Sequence, residues 1–105
     1  RYSFNMKLTS EYFETVGIKV WQPSKGYRYG ADSLMLARYC EKKVYGDVLE
    51  LGAGCGIISL VLASLKNVMH VHAVEIQKAL YDVCMRNIEV NDMNERVSCI
   101  NMDYR

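Results

Sequence analysis

The sequence predicts an α/β domain organised on a parallel sheet, and three observations carry that prediction. The apolar run Val48-Leu49-Glu50-Leu51 stops at three glycines, Gly52, Gly54 and Gly56, and an apolar segment of helical length follows at once. A second run, Met69 to Val74, ends on Glu75, which lies 75 − 56 = 19 residues after the last glycine. A third, Arg96 to Asn101, follows a segment of helical period and stops just before Asp103. Strands that alternate with helices make parallel sheets, because a crossover returns the chain in the same direction. A nucleotide-like ligand then sits at the carboxyl ends of the strands, over the tight turn that opens the first helix.

The chain has 105 residues, enough for one small domain. Half of them are hydrophobic, 24% are charged and one is proline, a globular composition without low-complexity segments. A net charge of +1 supplies no global field toward nucleic acid or membrane, so an RNA contact would have to come from local patches. No apolar run reaches the roughly 20 residues of a spanning helix, and the opening residues do not read as a signal peptide. A soluble, cytoplasmic protein with no membrane partner is expected. Cys40, Cys55, Cys84 and Cys99 form no C-x-x-C pair and read as reduced, mostly buried thiols. The chain opens on Arg1 rather than methionine and stops just after the third strand. Sheets of this kind usually need about twice the length, so a piece of a longer protein is expected.

Taken in order, residues 1–31 predict a hairpin and a lead-in loop, and residues 32–105 the ligand-binding half of a domain. Thr15-Val16-Gly17-Ile18-Lys19-Val20-Trp21 alternates as a strand covered on one face, with Gly17 marking a turn or bulge. Gln22-Pro23-Ser24-Lys25-Gly26 reads as a turn. Asp32 or Ser33 caps a helix that ends near Lys42-Lys43, whose charges suit its C-terminal dipole. Gly46 and Asp47 break that helix and open the first sheet strand, 47–51, whose composition predicts burial on both faces. The next helix carries Ile57, Leu60, Val61, Ala63, Ser64 and Leu65 as an apolar stripe and ends at Lys66-Asn67. The second strand spans 69–74. A helix from Gln77 to Val90 follows, in which Leu80, Val83, Cys84 and Asn87-Ile88 recur at spacings of three and four and Asn91 is the C-terminal residue, and then the third strand at 96–101.

The chemistry concentrates on the glycines and the acids. Glycine tolerates positive φ, and the N–H groups at the start of the helix offer donors to a ligand. The spacing is informative: a dinucleotide fingerprint would put its third glycine at position 57, where Ile57 stands, which argues against an NAD-dependent oxidoreductase. Glu75 can accept from both hydroxyls of a ribose, or it can cap the helix that follows. Asp103 can accept from an adenine amine, or it is a solvated turn residue. His70 and His72 share one strand face as a metal pair would, but no third ligand lies nearby in sequence, so no metal is expected.

Glu50, Glu75 and Asp103 thus fall at the ends of successive strands around one glycine loop, Glu50-Leu51-Gly52-Ala53-Gly54-Cys55-Gly56. This constellation resembles the cofactor half of the class I S-adenosylmethionine-dependent methyltransferases over almost all of residues 32–105. Upstream, Gln22-Pro23 and then Gly26-Tyr27-Arg28-Tyr29-Gly30-Ala31-Asp32-Ser33-Leu34-Met35-Leu36-Ala37 is similar to the corresponding segment of the bacterial tRNA (valine) adenine-N6 methyltransferases. Related segments occur in glutamine methyltransferases that act on release factors.

The resemblance implies a Rossmann-like fold, here its first three parallel strands with flanking helices behind a short hairpin, and S-adenosylmethionine as cofactor. It implies that Tyr29, Gly30 and Asp32 border the methionine end of that cofactor, and that Gly52, Ala53, Gly54 and Gly56 line its amino acid and sugar, with Glu50 among the binding residues. Glu75 would hold the ribose and Asp103 the adenine amine. The reaction implied is N-methylation, of adenine N6 in tRNA or, alternatively, of a protein glutamine; a non-catalytic, cofactor-binding relic of the fold is a third reading. The family's Asn-Pro-Pro-Tyr signature does not occur in this sequence, so it supplies no catalytic residue and the chain alone is expected to be inactive. Arg1, Tyr2, Lys25, Tyr27, Arg28 and Tyr29 could support an RNA contact. The family's strand order (third, second, first, fourth) would leave the first strand as a sheet edge, which invites self-association.

Overall fold

A computed structural model of the chain describes residues 7–24, Met35, Tyr39 and residues 43–104. The hairpin is present. Strands β1 (Leu8–Phe13) and β2 (Ile18–Pro23) run antiparallel, with Leu8 opposite Pro23 and Phe13 opposite Ile18. Gly17, at φ 68°, closes the turn and donates its N–H to the Phe13 carbonyl at 2.8 Å. Thr15 and Val16 therefore belong to the turn and not to a strand. Ile18, Val20 and Gln22 alternate inward and are fully buried. Gln22 and Pro23, predicted in a turn, end β2 instead; proline is tolerated at the end of a strand, where no ladder N–H is required.

The main sheet consists of β3 (Gly46–Leu51), β4 (Val68–Glu75) and β5 (Val97–Asn101), all parallel in the order β3-β4-β5. Helices α1 (Ile57–Ala63) and α2 (Lys78–Val90) make the crossovers. Helix α1 packs chiefly on β4, and α2 bridges β5 to the hairpin strand β2. The core lies between these helices and one sheet face, where Val71, Ala73, Val97 and Cys99 meet Leu60, Val61, Val83 and Ile88.

Two expectations need correction. Strand β3 is not buried on both faces: Leu49 and Leu51 are 64% and 54% exposed. Among the described residues β3 is the sheet edge, and both helices cover the opposite face, which leaves Leu49, His72 and Ile100 open. Helix α1 is also shorter than its apolar stripe. The Ser64 hydroxyl donates back to the Val61 carbonyl at 2.5 Å, and Arg96 donates to the carbonyls of Ala63 and Val68. The helix's last carbonyls are thereby satisfied, and the chain turns without a glycine. Of the helix predicted from Asp32 or Ser33 to Lys42-Lys43, Met35, Tyr39 and Lys43 are described; Met35 and Tyr39 are helical and Lys43 lies in a turn.

Candidate functional site

The glycine loop leaves β3 at its carboxyl end and turns into α1. Gly52, Gly54 and Gly56 all have positive φ, at 73°, 60° and 90°. The reason is clearest at Gly56, where an added Cβ would stand 2.6 Å from Cys84 Sγ on α2. At Gly52, which is exposed, an added Cβ would meet the Tyr104 hydroxyl at 3.3 Å. The Tyr104 side chain, from the segment after β5, thus approaches the loop closely at Gly52.

Four of the loop's N–H groups are spent inside the protein. Gly52 and Ala53 both donate to the Val74 carbonyl, at 2.8 and 3.0 Å, and Gly56 donates to the Ala53 carbonyl at 3.0 Å. Gly54 donates to Glu75 Oε1 at 2.7 Å. A loop that must reverse direction within a few residues needs these bonds to hold its shape. What it offers a ligand is close approach to backbone.

Glu75 is 3% exposed at the tip of β4. Its Oε2 accepts the Gln77 N–H at 2.8 Å, just ahead of α2, while Oε1 holds the loop. Glu75 is not the N-cap of α2, a place taken by Gln77 without a side-chain cap bond; the carboxylate instead braces the loop against the entry to the helix, a use not read from the sequence. Each charge-assisted bond of this kind contributes about 1.5–3 kcal/mol. Each oxygen retains a second lone pair, so the group can still accept from a ligand hydroxyl. Asn101 fixes the backbone here, donating to the carbonyls of Glu75 and Ile76 at 2.8 and 3.0 Å.

Glu50 lies on the helix-covered face of β3, half-buried, and accepts from the Ser59 hydroxyl of α1. Burial pushes its carboxyl above the usual carboxylate range, and the serine bond only partly offsets this. Ala53 is buried within the loop, and Asp103 is exposed beyond β5. The structure therefore gathers Glu50, Gly52, Ala53, Gly54, Gly56 and Glu75 at the carboxyl ends of β3 and β4, with Asp103 just past the end of the neighbouring β5. Tyr29, Gly30 and Asp32 lie outside the described residues, as do Arg1, Tyr2, Lys25, Tyr27 and Arg28.

Behind the loop, Cys55, Cys84 and Cys99 are buried free thiols. Burial pushes the Cys55 thiol up to about 11, and Cys84, which donates to the Cys99 sulfur, is raised while Cys99 is lowered. On the open sheet face, the His70 ring nitrogens lie 3.2 Å from the Glu95 carbonyl and 3.0 Å from the Ser98 hydroxyl. No helix among the described residues is long and apolar enough to cross a membrane.

Sequence reasoning missed Ser59, Asn101 and Tyr104 as parts of the site. It also placed Asn87 in the apolar stripe of α2, although a fully buried asparagine there was a signal that backbone groups needed partners.

Comparison with known proteins fits this geometry. A family profile described as lysine methyltransferase matches residues 2–105. The tRNA1(Val) (adenine(37)-N6)-methyltransferase of Aliivibrio fischeri is 27% identical over 77% of this chain and 35% of its own length. The protein-L-isoaspartate O-methyltransferase of Bordetella avium is 38% identical over 63% of this chain and 24% of its own. The chain thus spans about a quarter to two fifths of the length of the curated relatives it matches. Among solved structures, Methanocaldococcus jannaschii Trm5 in complex with adenosine superposes with a TM-score of 0.72 and 22% identity, covering 94% of this chain and 30% of that one. That likeness extends to the fold.

Proposed function

We propose, for a chain that belongs to the lysine methyltransferase family and so to the S-adenosylmethionine-dependent class I methyltransferases, that it is the cofactor-binding part of an N-methyltransferase acting on the exocyclic N6 of an adenine in tRNA. The observation that carries the cofactor reading is Glu75, a buried carboxylate clamped between the Gly54 and Gln77 amides with acceptor capacity to spare. When bound, S-adenosylmethionine supplies a methyl group activated on sulfonium. Glu75 would accept from its ribose hydroxyls, and Gly52, Ala53, Gly54 and Gly56 would admit its amino acid and sugar against backbone. Asp103 would accept from the adenine amine, Glu50 would support the loop from below, and Tyr29, Gly30 and Asp32 would border the methionine end.

The tRNA target is supported by the tRNA (adenine-N6) methyltransferases among the relatives and by the similarity of residues 22–37 to those enzymes. Partners proposed with it are tRNA and, through the β3 edge, a second copy of the chain; the proposed location is the cytoplasm. The family's description favours a second reading, methylation of a lysine Nζ on a protein. The two differ in physics. An adenine amine is conjugated and already neutral near neutral pH, and it sheds a proton only as the N–C bond forms and the C–S bond breaks, so its reaction depends on positioning. A lysine ammonium, with an ordinary pKa of about 10.4, must first be deprotonated.

Titration with S-adenosylhomocysteine, beside NADH and a Glu75→Ala variant, tests the cofactor; binding of the first ligand alone, lost in the variant, is expected. Radiolabelled methyl transfer by the full-length protein to unmodified tRNA and to bulk protein tests the target. Label in N6-methyladenosine, at a rate nearly flat from pH 6.5 to 8.5, is expected. Label in methyllysine, at a rate rising about tenfold per pH unit, would replace the tRNA reading with the second.

A further inference from the structure

Asn87 is a fully buried side chain in the C-terminal half of α2, and its amide has no unused N–H. Its Oδ1 accepts the Trp21 N–H at 2.8 Å, and its Nδ2 donates to the Trp21 carbonyl at 2.8 Å. The second Nδ2 proton goes to the Cys55 carbonyl, inside the glycine loop, at 2.7 Å. One turn later Asn91 repeats the first half of the pattern on Lys19: Oδ1 accepts its N–H at 2.8 Å, and Nδ2 donates to its carbonyl at 2.6 Å.

The repeat has a geometric basis. Four residues along a helix rise about 6 Å, and two residues along a strand rise about 6.6 Å. Two asparagines four apart on α2 therefore meet two residues, Lys19 and Trp21, that share one edge of β2. Strand β2 pairs with β1 on its other edge, so the helix side chains supply a ladder where a third strand would otherwise lie. The two asparagines are not equivalent, because Asn91 ties only the hairpin and α2's own Asn87 carbonyl, whereas Asn87 also holds the loop.

We infer that Asn87 is a positioning residue for cofactor binding: it fixes the Cys55 carbonyl, and with it the path of the loop from Gly54 to Gly56, against the docked N-terminal hairpin. This rests on the cofactor reading above. Without the Asn87 donor, the Cys55 carbonyl is buried and unpaired, and the cheapest relief is a rotation of the loop peptide that would carry its neighbours, Gly54 and Gly56, with it.

The test compares Asn87→Asp with Asn91→Asp, each against wild type, by titration with S-adenosylhomocysteine from pH 5 to 8 and by thermal unfolding under the same conditions. At pH 8 the introduced carboxylate faces two carbonyl oxygens at position 87, and affinity should fall at least tenfold relative to wild type. As pH falls the buried carboxyl takes up a proton, one donor returns, and affinity should recover toward wild type. Asn91→Asp should lower Tm but stay within threefold of wild type in affinity across the range. A hairpin clip with no role in the loop predicts that affinity stays near wild type in both variants while Tm falls in both. Equal affinities for the two variants at pH 8, or a pH-independent loss in Asn87→Asp, would overturn the inference. If Asn87→Asp does not fold at pH 8, Asn87→Ser against Asn91→Ser at pH 7.5 is read by the same tenfold criterion. Failure of wild type to bind overturns the cofactor reading itself, and is distinguishable because wild type is titrated first.

Discussion

Replacing Gly56 by alanine tests how tightly the glycine loop is built. Two costs add. At φ 90° an L-residue pays about 1–2 kcal/mol that glycine does not. The new methyl would also overlap Cys84, with Sγ at 2.6 Å, Cβ at 3.5 Å and Cα at 3.7 Å. Cys84 is fully buried, so its thiol has little room to turn away, and such overpacking costs about 1–3 kcal/mol. The sum, about 2–5 kcal/mol, is a large share of the roughly 5–15 kcal/mol that holds a small domain together. A fall in Tm of more than about 10 °C is expected by circular dichroism, with urea denaturation giving the free energy. Gly46→Ala isolates the backbone cost, because its φ is 70° but nothing lies within 4 Å of an added Cβ; about 1–2 kcal/mol is expected there. Gly56→Ala combined with Cys84→Ala should recover the packing share and leave the backbone share, so the double mutant will be more stable than the sum of the singles predicts, by about 1–3 kcal/mol. Additive singles, or a Gly56→Ala loss below about 0.5 kcal/mol, would refute the close approach of α2 to the loop.

Two further predictions concern the sheet. The Glu50 carboxyl is raised by burial, so the unfolded chain releases its proton at lower pH than the folded one, and stability contributed by the protonated group is lost as pH rises from the ordinary carboxyl value of 4.5 through the raised one. Glu50→Gln keeps an acceptor for Ser59 and should raise Tm at pH 7, with the gain disappearing toward pH 4.5; a gain that grows on acidification contradicts the burial argument. Leu49→Lys places a charge on the open face of the edge strand and should shift sedimentation velocity toward monomer, and a wild type already monomeric at high concentration removes self-association from the reading.

Much of the main sheet was legible in the sequence, because β3, β4 and β5 were each written as a short apolar run. The glycine triplet and the 19-residue step to Glu75 marked residues that the fold brings side by side, the turn after β3 and the tip of β4. Burial of β3 was misjudged because an apolar strand reads the same whether or not its second face is covered, and coverage depends on elements elsewhere. The fate of the loop amides was hidden for a similar reason. Glu75 is an acceptor wherever it sits, but only its placement beside Gly54 shows that it braces the loop. Asn87 was read by its spacing in α2, and spacing cannot tell an asparagine facing backbone from a leucine facing a core.

The asparagine ladder also bears on the order in which the chain becomes organised. Its bonds join residues 66 and 72 positions apart, Trp21 to Asn87 and Lys19 to Asn91. Closing so long a loop is entropically costly and slow compared with forming a hairpin or a helical turn. During synthesis the hairpin emerges before α2, so the helix side chains it docks on do not exist until α2 has left the ribosome. The hairpin, though made before the sheet, is therefore among the last elements to settle, and Cys55 receives its donor in the same late step.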